Sequence, residues 1–343
     1  MAIQTSEIKW YKSTIVNDST SNGGTMSANE IPDGVKNNVW PDVPQAERTA
    51  GSTKYRKSFI KIANDDDLTL IEPKVFIETH TPGDDSIVLL DGTQTDTQAD
   101  AEIASRFYGA ADLDATVTAQ DTVLLIRVEP GNAAAGHAIF QNGDLIRLSN
   151  QSSVDDVGGT SEFLRLAATG GVSWNGDQAT LTLASGIAVS NGYAVGETKV
   201  ASVLETADIE ATLTGWGESS ASGSYDETTY PPVLDHIGSV EQTWILTFSD
   251  SSHFSCSGDE VGDVGGGSIG GGDFAPTNPD FSKPYFTLTD GTPPWAGTWQ
   301  AGETLTFTTH PAALPIWEKR TVPAGADSLS GNKVVIAISG ESE

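Results

Sequence analysis

Residues 55–62 alternate as an extended chain does. Tyr55, Lys57, Phe59 and Lys61 fall on one side, and Arg56, Ser58, Ile60 and Ile62 on the other. The turn-forming run Asn64-Asp65-Asp66-Asp67 comes next, then apolar stretches at 68–71 and 74–79, so the pattern predicts a β-hairpin with a third strand beginning after it. Residues 86–90 predict another short strand. Helical spacing is strongest at 96–108, through Ala101, Ile103, Ala104, Phe107 and Tyr108. Strand patterns then return at 122–128, 144–148, 163–166, 180–183, 200–204, 209–214 and 243–248, and again at 285–288, 304–308, 317–322 and 333–338. Asn142-Gly143, Asn175-Gly176 and Asn191-Gly192 punctuate them as turns. Many short strands with frequent turns predict an all-β sandwich or barrel rather than a parallel sheet with crossover helices. Between the two sets, residues 256–280 read as a flexible linker, because the run from Gly265 to Gly272 holds six glycines.

The first 52 residues carry a different pattern. Residues 8–16 predict one strand, but Asn22-Gly23-Gly24, Ile31-Pro32-Asp33-Gly34 and Trp40-Pro41-Asp42-Val43-Pro44 interrupt the rest of the stretch and prevent a long helix. Ile31, Val35, Val39 and Trp40 are too few to form their own core, so this stretch is expected to be an extended arm lying on another surface, preferentially that of a neighbouring subunit.

Charge adds a polarity to this picture. The chain holds 47 acidic and 18 basic residues among its 343, a formal charge of −29. Residues 1–74 carry 10 acidic and 9 basic side chains, a net of −1, and the remaining 269 carry 37 and 9, a net of −28. Nucleic acid as the main partner is therefore excluded on electrostatic grounds, and an anionic membrane surface is disfavoured in the same way. Lys54, Arg56, Lys57 and Lys61 are read as the solvent face of one strand, the alternative being a docking patch. The single cysteine, Cys256, allows no internal disulfide and no cysteine-based metal site. The first residues lack the basic and apolar regions of an export signal, and no run reaches membrane-spanning length.

Candidate chemistry is sparse. His80, His137, His236, His253 and His310 show no zinc-binding spacing and are expected in turns or on the surface. The glycine run lacks the Lys and Ser or Thr that complete a phosphate loop. His253 lies three residues from Cys256, a spacing with little nucleophilic meaning. The carboxylate clusters Asp65-Asp66-Asp67, Asp84-Asp85, Asp155-Asp156 and Asp259-Glu260 read as solvated turns without calcium-loop spacing. No enzyme, metal or cofactor is expected. Among the eight tryptophans, Trp295 and Trp299 lie four apart in a Pro- and Gly-rich loop; packing is the preferred reading, and a carbohydrate or protein contact the alternative.

Two parts of the chain carry a resemblance. One comprises residues 26–31 and 44–57, with Pro44-Gln45-Ala46-Glu47-Arg48-Thr49-Ala50-Gly51 at its centre. The other comprises residues 284–287, 297–307, 315–320 and 322–325, including Gly297-Thr298-Trp299-Gln300-Ala301-Gly302 and Pro315-Ile316-Trp317-Glu318-Lys319-Arg320. These segments, about a third of the chain, resemble virion structural proteins of tailed bacteriophages. The resemblance implies a non-enzymatic subunit made in the host cytoplasm, located in the virion, and contacting other virion proteins and copies of itself. A tail, neck or baseplate component is the first expectation; a capsid decoration protein, or a host-glycan adhesin or tail-fibre module using Trp295 and Trp299, is the alternative. The expected organisation is an extended arm over 1–52, a discontinuous Ig-like sandwich from 53–92 and 281–343, an inserted β-rich domain over 93–255, and the linker over 256–280.

Overall fold

The computed structural model describes residues 2–154 and 156–343 and is nearly all β, with only short helices. Its centre is the strand Ser52–Ile62. This strand pairs antiparallel on one side with Ile8–Ile15 and on the other, over its whole length, with Ala313–Val322. Gly23–Glu30 and Ser86–Asp91 complete a five-stranded sheet. A three-stranded sheet of Leu204–Glu205, Leu70–Thr79 and Val335–Ser342 faces it. Ile60, Leu89 and Ile316 from the first sheet meet Val75 and Ile77 from the second, with Ile336 and Ile338 packed beside them on the same face. The sandwich thus draws strands from both ends of the chain.

The expected hairpin after residue 55 does not form. Ser52–Ile62 and Leu70–Thr79 lie in different sheets, because the Asn64 side chain accepts hydrogen bonds from the amides of Asp66 and Leu68 and turns the chain across the sandwich. The arm expected over 1–52 is also corrected. Ile8–Ile15 and Gly23–Glu30 are strands of the chain's own sheet, and backbone pairing there satisfies the polar groups that an isolated arm leaves to water. The helix expected at 96–108 is confined to Gln98–Glu102, opened by a reciprocal Thr97–Asp100 cap; Ala101 is buried, whereas Ile103 projects into solvent.

Two further bodies lie between the sandwich strands. In the first, seven strands run in the order Val172–Asn175, Gln178–Thr182, Val123–Val128, Ala110–Leu113, Lys199–Ser202, Leu145–Ser149 and Ser161–Arg165. A bridge between Leu166 and Leu183 joins the last strand back to Gln178–Thr182, closing a barrel around Leu124, Ile126, Ile146, Leu148, Leu181 and Val200. The Asn175-Gly176 turn signal is met here: Asn175 pairs with Gln178 across Gly176 and Asp177, with Gly176 at φ 64°.

The second body is a five-stranded sheet, Thr212–Glu218, Thr304–His310, Gln242–Phe248, His253–Gly258 and Gly262–Ser268. Gln242–Phe248 alternates buried and exposed side chains along its length, so one face is dry and the other wet. Residues 285–307, expected in the sandwich, instead supply this body's aromatic core, while Phe281 packs on Tyr11 and Phe59 of the central sheet. The expected linker is likewise overturned, since Gly262–Ser268 is a hydrogen-bonded edge strand. Its glycines make room for rings: a Cβ on Gly267 would lie 2.8 Å from Phe254 and 3.1 Å from Phe274.

Candidate functional site

The residues singled out in the sequence divide between a surface strap and a core. Ile31, Val35, Val39 and Trp40 belong to the irregular stretch between Gly23–Glu30 and the helix Gln45–Ala50. Val35 is exposed, and Ile31, Val39 and Trp40 are half-buried. Trp40 is the anchor. Its ring centroid lies 5.1 Å from the guanidinium of Arg56 and 4.7 Å from that of Arg320, and its Nε1 donates to Glu318 Oε2 at 2.8 Å. Arg320 donates in turn to the Pro41 carbonyl at 2.9 Å. Arg56 and Glu318 are direct cross-strand partners, and Glu318 and Arg320 follow Ile316 at two-residue steps, so all lie on the face that forms the sandwich interior. The strap therefore covers the polar end of that interior. Burial pushes the Glu318 carboxyl up, against the stabilising donors of Trp40 and Ser58.

Removing the indole leaves Glu318 buried with one donor fewer. Trp40→Ala is expected to lower stability by about 2 kcal/mol and to make 31–44 the first segment cut in limited proteolysis. An unchanged cleavage pattern would show that Trp40 does not hold the strap.

Trp295 and Trp299 lie elsewhere, in the second inserted body, and are 3% and 1% exposed. Trp299 stacks on Phe248 at 4.1 Å between ring centroids, and Trp295 meets Tyr225 edge-on at 4.7 Å. Their indole faces are occupied by protein, so they offer no platform to a glycan.

The basic residues of the central strand are neither a solvent face nor a docking patch. On the side opposite the sandwich core, Lys57 pairs with Asp96 at 2.6 Å and donates to the Gly24 carbonyl, while Trp317 Nε1 donates to the same carboxylate at 2.8 Å. Lys61 is fully buried, donates to the Ile237 carbonyl at 2.6 Å, and lies 4.1 Å from the Phe281 ring centroid. Burial pushes its ammonium pKa down to about 7. Lys54 pairs with Asp18 and Glu47. These ammonium groups tie loops and the second inserted body to the central sheet.

A second polar chain, which histidine spacing gave no means of finding, joins the sandwich to the barrel. His80, at the end of Leu70–Thr79, reaches Asp112 through Nε2 at 3.2 Å and Glu129 through Nδ1 at 3.1 Å. Asn132, on the helix Pro130–Ala135, donates to Glu129 and approaches His137 at 3.3 Å. His137 Nε2 in turn accepts from Lys319 Nζ at 2.9 Å. Burial alone would lower the His80 pKa, but the hydrogen bonds to Asp112 and Glu129 outweigh it and raise it to about 10. Burial raises Glu129 to about 6, so the pair is ionised at neutral pH. Burial and the charge of Lys319 push His137 down to about 4.

Because the folded pKa of His80 is raised, its stabilisation is complete below about pH 6.5 and is lost as pH rises through about 10. The stability difference between the wild type and His80→Gln is therefore expected to shrink from neutral to alkaline pH in urea unfolding. A constant difference would deny the ion pair.

The carboxylate clusters serve the backbone and neighbouring side chains. Asp67 accepts from the His236 amide, Asp84 from the Asp327 amide, Asp259 from the Thr243 amide, and Glu260 from the Thr25 hydroxyl. Asp155 lies outside the described residues. His253 is exposed and Cys256 buried on the alternating strand His253–Gly258, so they face opposite ways; burial pushes the thiol up to about 12. A groove of about 720 Å³ between the bodies is lined by Asp91, Glu205 and Asp208 over Leu314 and Pro315, but Glu205 is held by Arg165 and Asp208 by the Glu72 amide. Among the described residues, no three His, Cys, Asp or Glu side chains converge as a metal site. Comparison with family models, curated proteins and solved structures returns no match for this chain.

Proposed function

We propose that this chain is a non-enzymatic structural subunit of a tailed-bacteriophage virion, in the tail, neck or baseplate, assembling through protein–protein contacts. The observation that supports it most is the use made of buried and half-buried charge. Lys57, Lys61, His80, Glu129 and Lys319 are placed at the seams of the molecule, tying loops, helix and inserted bodies to the central sandwich. Such ties give a rigid block suited to bearing load, rather than a cleft with mobile reactive groups. The two segments that resemble virion proteins also meet in space, since Ser52–Ile62 pairs along its length with Ala313–Val322.

Immunogold labelling of purified particles that encode this chain is expected to decorate the tail or its attachment region. Label confined to the head surface would favour capsid decoration instead, and particles without label would reject the reading. The adhesin alternative loses the exposed aromatics on which it stood, because Trp295 and Trp299 are core residues.

A further inference from the structure

The C-terminal strand Val335–Ser342 lies at the edge of its three-stranded sheet, with Leu70–Thr79 on one side only. Natural edges are usually blunted by bulges, charge or brevity. Gly23–Glu30 is broken by two register shifts, and Gly262–Ser268 presents mainly glycine. Val335–Ser342 is different. At both of its register shifts the extra residue lies in the partner: Val335 and Ile336 face Thr79 and Ile77, and Ser339 and Glu341 face Lys74 and Ile71. The edge strand itself stays regular. Ile336 and Ile338 pack on the sandwich core yet remain only partly buried.

We propose that this edge pairs antiparallel with the same strand of a second copy, about a two-fold axis at Ala337. The sequence from 333 to 341 is self-complementary about that point. Within the strand, Ile336 falls opposite Ile338 of the other copy and Val335 opposite Ser339, and carrying the register two residues beyond the strand's start sets Lys333 opposite Glu341. Lys333 and Glu341 are both exposed, and neither makes an ion pair among the described residues. The paired strands continue both sandwich cores across the axis, and the backbone groups of each edge supply the remaining hydrogen bonds. The inference deepens the assembly reading above, and its role in a particle rests on that reading.

Analytical ultracentrifugation of the full chain over a concentration series tests it. The wild type is expected to show a concentration-dependent dimer. Lys333→Glu sets like charges opposite each other twice and is expected to weaken association about tenfold or more at low salt. Glu341→Lys is expected to do the same, and the double substitution to restore the wild-type constant. Both positions are exposed, so circular dichroism of each variant should match the wild type. A dimer indifferent to both reversals would overturn the edge pairing while leaving assembly through another face intact. A monomer at every concentration would overturn the pairing outright, whatever the labelling of particles shows.

Discussion

Trp317→Ala is expected to lower stability by about 4 kcal/mol, read as a fall in the urea midpoint at unchanged slope. Trp317 is fully buried on the face of the central sheet opposite the sandwich core, with Tyr55, Leu90 and Ala101 around it. Its ring also fills the space over Gly23, where a Cβ would meet it at 2.8 Å. The substitution opens a cavity there and removes the indole donor from Asp96, which then keeps Lys57 alone among its charged partners. Trp317→Phe separates the two effects: it retains most of the volume and loses only the donor, for an expected cost of about 1–2 kcal/mol. A loss below about 1 kcal/mol for the alanine variant would mean that the indole is not enclosed as described.

The second large effect lies in the glycine run. Gly266→Ala and Gly267→Ala are each expected to cost about 1–3 kcal/mol. A Cβ at 266 would approach the Phe254 carbonyl to 2.3 Å, and one at 267 the Phe254 ring to 2.8 Å. Gly270 and Gly272 are controls in the same run. Both have open space around the Cβ position but positive φ, so alanine there is expected to cost only about 1 kcal/mol through backbone strain. In a flexible linker all four changes would be neutral. Thermal unfolding of the four variants distinguishes the cases, and equal melting temperatures would restore the linker reading.

The glycine run shows why part of the fold is hidden from the sequence. A strand is usually announced by side chains, and Gly262–Ser268 is defined by their absence: its room is taken by Phe254 and Phe274 from elsewhere in the chain. Where a strand keeps one wet face, as in Gln242–Phe248 and Thr304–His310, the alternation is legible. Ser52–Ile62 is legible as a strand, but its setting is not. It alternates charged and apolar residues, which suggests one solvated face, yet Tyr55 to Ile62 are all buried because helix, loop and second body cover the side that carries Lys57 and Lys61. Strand pairing over long separations leaves no local signal, so the pattern sets Leu70–Thr79 beside Ser52–Ile62 instead of in the opposing sheet. At the candidate strap, the need of Trp40 for a surface is readable; that the surface is the chain's own Arg56, Glu318 and Arg320 requires the fold. The His80–Glu129 tie is unreadable, since its members are separated by 49 positions and meet only through tertiary packing.

The joining of both chain ends in one sandwich also sets a schedule for synthesis. Ser52–Ile62 can pair with Ile8–Ile15 soon after it leaves the ribosome, but its other neighbour begins at Ala313, about 250 residues later. At roughly 5–20 residues per second, that is a wait of about 12–50 s. During that time the barrel strands, which pair mainly among themselves, can close, while the half-made central sheet keeps open an edge of unpaired backbone N–H and C=O groups. A slower ribosome within the barrel is therefore expected to lengthen the exposure of that edge and to lower the yield of folded protein.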